Sequence, residues 1–281
     1  LQDSIDLSIP LLTNSINTAF EIFNLKAALS AGIDSRKTLA ATKTLKDKMF
    51  YFTQSAKNNQ MDVRVTARLL QKLGISHNIL DLKSMSDEFR RYYLSSATYA
   101  REAKGNIAYT LYNHFGPDAT ILNSNLSEIT QCNYWLPKSK ISGKGLAIIT
   151  DLFHPLTISD FEEWLQDAQS ACQATGLNIL TLFHWEQRGG RWAAASFSEY
   201  DIAHDSFTPY NNRYLIQLLL GIDEKYRRNR MRRVAINTIK HLWPEVLSEP
   251  INPPDTFRES LQGFIRYKIL HKCVTPWLPI Y

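Results

Sequence analysis

Long apolar runs, paired cysteines and metal-binding spacings are all missing from this 281-residue chain. No stretch approaches the roughly 20 apolar residues that span a bilayer, and the opening LQDSIDLSIPLL lacks the basic start of a secretory signal. A cytoplasmic location and no membrane partner are therefore expected. Three cysteines, Cys132, Cys172 and Cys273, form no CxxC pair, which argues against zinc ribbons and dithiol chemistry. Seven histidines show neither HxxxH nor HExxH, so any metal is expected to arrive with a phosphate. The Walker pattern GxxxxGK[ST] and the dinucleotide pattern GxGxxG are absent as well.

The composition is that of a folded protein, with 44% hydrophobic and 21% charged residues, enough to bury a large core. The net charge of +5 is modest, and much of the excess lies in EKYRRNRMRR, residues 224 to 233. That run serves equally as a solvated helix face, an RNA-facing patch or a clamp for an anionic substrate.

Along the chain, NSINTAFEIFN reads as a helix and Ala27 to Leu29 as a short strand. Thr38 to Leu45 reads as helical and KMFYFT, 48 to 53, as a buried strand. Val63, Ala67, Leu70 and Leu73 mark a helix with Asp62 as N-cap and Gly74 as C-cap. SHNILDL follows as a strand, 86 to 113 as a helical and aromatic region, and 119 to 122 as another strand. The glycines and proline of 137 to 158 suggest a boundary, after which SDFEEWLQDAQSACQATG reads as a helix and LNILTLFHW as a strand. The remainder reads as mainly helical, broken at 250 to 254 and 276 to 279. Alternating strands and helices predict a doubly wound, mostly parallel α/β sheet, Rossmann-like, with ligands at the carboxyl ends of its strands. The expected division is a nucleotide-binding domain over 1–150 and a mainly helical part over 151–281.

One such strand end carries LSAGIDSRKTLAA, residues 29 to 41. A phosphate cradle needs consecutive backbone N–H groups and side chains small enough to let an anion reach them. Ser30, Ala31, Gly32 and Ser35 meet that need, and a helix starting near Ser35 adds its positive end. Asp34 beside a phosphate is repulsive unless a cation intervenes, which points to Mg²⁺. The same residues also suit a tight turn followed by an N-cap.

LSAGIDSR resembles the SGGxDS pyrophosphate loop of the PP-loop ATP pyrophosphatases, the superfamily of asparagine synthetase and β-lactam synthetase. The order MFYFT, Asp62, LGISHNIL resembles the asparagine synthetase branch, as do HWEQRGGRW and FTPYNNRYL through Glu186, Arg188, Pro209 and Asn211 or Asn212. The resemblance implies an adenine nucleotide alpha hydrolase-like fold without an amino-terminal glutaminase domain. It implies ATP and Mg²⁺ as cofactors, with Ser30, Ala31, Gly32, Ser35, Thr53 and Asp62 on the nucleotide and Asp34 and Glu128 on the metal. Asp34, Arg228 and Arg232 would be catalytic, the arginines standing where the branch has K-x-x-L-R. The acidic phrase G-E-G-x-D-E of the branch corresponds to NSNLSE, so Ser124 and Ser127 replace two carboxylates and Glu128 remains.

The expected function is an AMP-forming amide-bond ligase that adenylates a small-molecule carboxylate for capture by an amine or by ammonia, the latter supplied by a separate glutaminase subunit. An RNA-modifying enzyme that adenylates a base is the alternative, with KYRRNRMRR on the phosphate backbone. A nucleotide-binding assembly protein that has lost catalysis is the third. Asp62 is explained as fully by an N-cap as by ligand contact, Glu186 and Arg188 equally by an internal ion pair, and His77 and His184 by structural roles.

Overall fold

Ile5, Leu12, Ile16 and Ala19 recur on one face of the first helix, α1 (Gln2–Ile22), and that face is buried. The computed structural model describes residues 1–97, 99–227 and 232–254. Strand β1 (Asn24–Ala28) leads into helix α2 (Ile33–Ala41), β2 (Phe50–Ser55) into α3 (Gln60–Leu73), and β3 (Asn78–Asp81) into α4 (Asp87–Ser96) and α5 (Glu102–Phe115). Strand β4 (Ala119–Leu122) is followed by α6 (Gly143–Thr150), α7 (Pro155–Thr175) and α8 (Ile179–Phe183). A π-helix, His184–Ala193, runs directly into α9 (Ala194–Tyr200). Strand β5 (Asp205–Phe207), α10 (Arg213–Leu220), α11 (Glu224–Arg227) and α12 (Arg233–Leu242) complete the order. No helix among the described residues is long and apolar enough to cross a membrane.

The five strands are all parallel in the order β3-β2-β1-β4-β5, so the expected doubly wound α/β sheet is present. Register explains its two apolar faces. Ala27 lies beside Tyr51 and Leu122, and these three join the main core with α1, α2, α10 and α12. Their neighbours Phe52 and Ile121 point the other way, onto Leu80 of β3 and Leu111 of α5. The chain moves outward from β1 to β3 and then returns to β1's other side at β4. Right-handed crossovers therefore put α2 and α3 on one face and α5 on the other. A third cluster, with Leu146, Ala147, Phe161, Leu165 and Phe183, joins α6, α7 and α8.

Several elements differ from their sequence reading. The first helix extends back to Gln2 and contains Pro10, with Thr13 Oγ1 donating to the Ile9 carbonyl beside it. LNILTLFHW is helical: Asn178 Oδ1 accepts from the backbone N–H groups of Leu180 and Thr181, starting α8 where an apolar run alone reads as a strand. The 86–113 region is two helices, and the glycines of 137–158 open α6 rather than a linker. Helix α2 starts at Ile33 and α3 at Gln60, with Asn59 rather than Asp62 as the residue before it. Gly74 does close α3 in the left-handed region, φ 66°. The expectations for Arg228, Cys273 and 276–279 lie outside the described residues, and those for EKYRRNRMRR do so in part.

Residues 246–252 return to the loop after β1. Arg36, 1% exposed, donates to the backbone carbonyls of Val246, Glu249 and Pro250, and Asn252 N–H donates to the Ala31 carbonyl. Burial pulls Arg36 down to about 10, so the guanidinium stays charged at neutral pH. The Glu249 carboxylate bonds in turn to Arg68 and Lys72 of α3. Arg36→Ala leaves these carbonyls without donors and opens a cavity, so a loss of about 3 kcal/mol is expected in denaturant unfolding. A loss under about 1 kcal/mol would show that the return segment is not held by this side chain.

Candidate functional site

Strand order reverses between β1 and β4, and the loops that leave these two strands face each other across the resulting crevice. The first loop is Leu29–Gly32, leading into α2. It is tight because Ser35 is one turn ahead: Ser30 N–H donates to Ser35 Oγ at 3.2 Å, and Ser35 Oγ lies 2.9 Å from the Ser30 carbonyl. Gly32 N–H donates to Ser30 Oγ at 3.2 Å, and a Cβ on Gly32 would stand 3.1 Å from that oxygen. Ala31, where the family loop has glycine, has no positive φ and so needs no glycine.

Asp62 does not cap its own helix. Its Oδ1 accepts from the Ala31 N–H at 2.7 Å, 31 residues away, fixing the loop from α3. Among the described residues no side chain caps helix α2, so its first N–H groups take no side-chain acceptor there. Such an end is a ready anion seat.

Asp34 binds the two loops together. Its Oδ1 accepts from Ser127 Oγ at 2.5 Å, from Gln131 Nε2 at 2.8 Å, and lies 3.1 Å from Lys37 Nζ. Lys37 is almost wholly buried, also donates to the Ser127 carbonyl, and rests 5.3 Å from the Tyr210 ring centroid. Thus Lys37 supplies beside Asp34 a positive charge that the sequence reading assigned to Mg²⁺ alone. Ser124 Oγ accepts from Thr38 Oγ1 at 2.9 Å. Ser124 and Ser127 therefore join α2 to the β4 loop, and a carboxylate at 127 would repel Asp34.

Glu128 is the remaining acid. Burial and the Asp34 charge push its carboxyl above the usual carboxylate range, against weaker help from its own backbone N–H, Lys37 and Arg188. A desolvated acid close to a second acid suits a cation. No group of three or more acids, histidines or cysteines with metal-site spacing occurs among the described residues. Mg²⁺ tolerates this, since it takes one or two carboxylates and completes its shell with phosphate and water.

Beside the loop, a cavity of about 190 Å³ is lined by Leu29, Ser30, Thr53, Asp62, Asn123 and His204, among others. Thr53 Oγ1 donates to Thr66 Oγ1 at 3.0 Å and accepts from His77 Nε2 at 2.9 Å, which fixes His77 in a structural role. Ser30, Thr53 and Asp62 thus meet at one cavity, while Ala31, Gly32 and Ser35 are not part of its lining. Arg232 does not join them: it takes a left-handed conformation before α12 and makes no hydrogen bond or ion pair with the loop among the described residues.

Glu186 and Arg188 are not an ion pair. Glu186 accepts from Trp164 Nε1 at 2.6 Å, while the Arg188 guanidinium stacks 3.6 Å from the Trp192 ring centroid. Lys37, Gln131 and Trp192 escaped the sequence reading. Only Lys37 carried a usable signal, its i,i+3 spacing from Asp34. Comparison of the sequence with protein-family models returns no match, and comparison with curated proteins returns none.

His184 is buried beside Asn133 and Tyr134, and burial, aided by Arg188 and opposed by Asp34, pulls it down to about 4. In the unfolded chain a histidine titrates near 6.5, so on acidification the unfolded state gains the proton first. Stability is full above about pH 6.5 and falls between there and about pH 4, by on the order of 3 kcal/mol from this residue. His184→Asn is expected to flatten that part of the stability profile in chemical unfolding across pH. An unchanged slope would mean that His184 is protonated in the fold.

Proposed function

We propose that the crevice binds ATP and that the chain is an AMP-forming ligase of the asparagine synthetase-like, PP-loop type, activating a carboxylate as an acyl-adenylate. The observation that carries this reading is the position of the loop Leu29–Gly32: it opens an uncapped helix at the end of β1, where the strand order reverses. The cavity is small for a whole nucleotide and suits its base, leaving the phosphates over the loop and the start of α2.

In this reading Ser30, Gly32 and Ser35 shape the seat, Asp62 holds the loop's backbone, and Lys37 offsets charge near Asp34. Asp34 and Glu128 would hold Mg²⁺, which when bound neutralises charge on the departing pyrophosphate. A substrate carboxylate oxygen attacks the α-phosphorus as the bond to the bridging oxygen of pyrophosphate breaks. An amine or ammonia then displaces AMP from the acyl carbon, releasing a proton. The basic residues of this chain act by preorganised charge.

The serines at 124 and 127 favour a second reading, a nucleotide-binding assembly protein without turnover. Exchange of labelled pyrophosphate into ATP in the presence of candidate carboxylates separates the two. Glu128→Gln is expected to lower this exchange at least about hundredfold. Its thermal stability should match or exceed that of the wild type, because the variant removes an acid that burial penalises. Nucleotide binding without any exchange supports the assembly protein, and exchange that depends on added RNA supports base adenylation.

A further inference from the structure

The π-helix places His184, Arg188 and Trp192 at intervals of four, so they form one row. At its inner end His184 lies 3.2 Å from Asn133 Nδ2. At its outer end Trp192, 42% exposed, receives three cations: Arg188 at 3.6 Å, Arg101 at 5.4 Å and Lys104 at 5.5 Å from its ring centroid.

These cations are not equivalent. Arg101 is fully engaged, since the buried Glu199 carboxylate accepts from its backbone N–H, its Nε and its Nη2. Among the described residues the Lys104 ammonium donates to the Tyr200 hydroxyl, at 2.9 Å, and forms no ion pair. Arg188 has no carboxylate at ion-pair distance among the described residues. Burial holds Lys104 below the usual lysine range; the charges of Arg101 and Arg188 add to that effect and the Glu199 carboxylate opposes it. The Arg188 charge also acts on Glu128, Tyr134 and His184. Two like charges thus sit against one indole, and among the described residues neither has a carboxylate at ion-pair distance.

We propose that Lys104 and Arg188 form an oxyanion subsite that receives the carboxylate of the acceptor, with Trp192 as its flat wall. The proposal rests on the ligase reading. Within that reading the nucleotide tail already has the start of α2 and Lys37, so this second pair serves a second anion. Arginine backed by an indole presents a rigid fork to a carboxylate, and a lysine beside it adds charge without demanding geometry.

The test titrates the intact protein with ATP and Mg²⁺, with pyrophosphate, and with acetate, succinate and aspartate, the last three with and without ATP. Calorimetry reads affinity, and the Trp192 indole N–H resonance, identified by its loss in Trp192→Phe, reads location. At least one carboxylate should move that resonance saturably. Arg188→Ala and Lys104→Met should each weaken this response about tenfold or more. ATP affinity should stay within about twofold. The proposal is overturned if no carboxylate moves the resonance while ATP binds, or if Arg188→Ala weakens ATP or pyrophosphate by the same factor as the carboxylate, which would assign the cations to the nucleotide. Failure of the wild type to bind ATP would overturn the ligase reading first, and the subsite with it.

Discussion

The Asp34 carboxylate is the contact on which the crevice depends. It faces three donors: Lys37 one turn along its own helix, and Ser127 and Gln131 from the segment beyond β4. A parallel sheet leaves a gap where its order reverses, and nothing in the strand hydrogen bonding fixes the width of that gap at the strand ends. Here the width is set by a carboxylate and its donors. Lys37 is buried, so removing its partner would leave an uncompensated charge, a far larger penalty than a surface ion pair carries.

Around that clasp the remaining contacts act in the same direction. Asp62 reaches from α3 to the Ala31 N–H, and Asn252 reaches from the chain's return segment to the Ala31 carbonyl, so one loop residue is held from two sides. Arg36 anchors the return segment through three backbone carbonyls. The loop is therefore rigid before any ligand arrives, which is how a site of oriented N–H groups avoids reorganising during reaction.

Much of the sheet was legible in the sequence because apolar runs of four to six residues bounded by turn residues have few other readings. Residues 119 to 122 and the αL glycine at 74 stand where the pattern puts them. The reading failed where one pattern fits two structures. LNILTLFHW is as apolar as a strand, and only the Asn178 cap makes it a helix. Pro10 conceals the first half of α1, and the three polar-flanked residues of β5 give no periodic signal. For the crevice, the loop residues were legible from their size and their hydroxyls. Partners such as Gln131, Glu249 and Trp192 were not, since their roles arise from contacts between residues tens to hundreds of positions apart. Asp62 marks the same limit: its place near a helix start suggests a cap, yet it is the loop that takes its carboxylate.

The central claim is that the bend after β1 grips the anionic tail of a nucleotide. Calorimetric titration of the intact protein with pyrophosphate and Mg²⁺ tests it most directly, because pyrophosphate carries the tail and nothing else. The account predicts saturable binding at one site, competed by ATP and weakened when Gly32 is replaced by valine. Absence of binding by both pyrophosphate and ATP to the folded protein would contradict it.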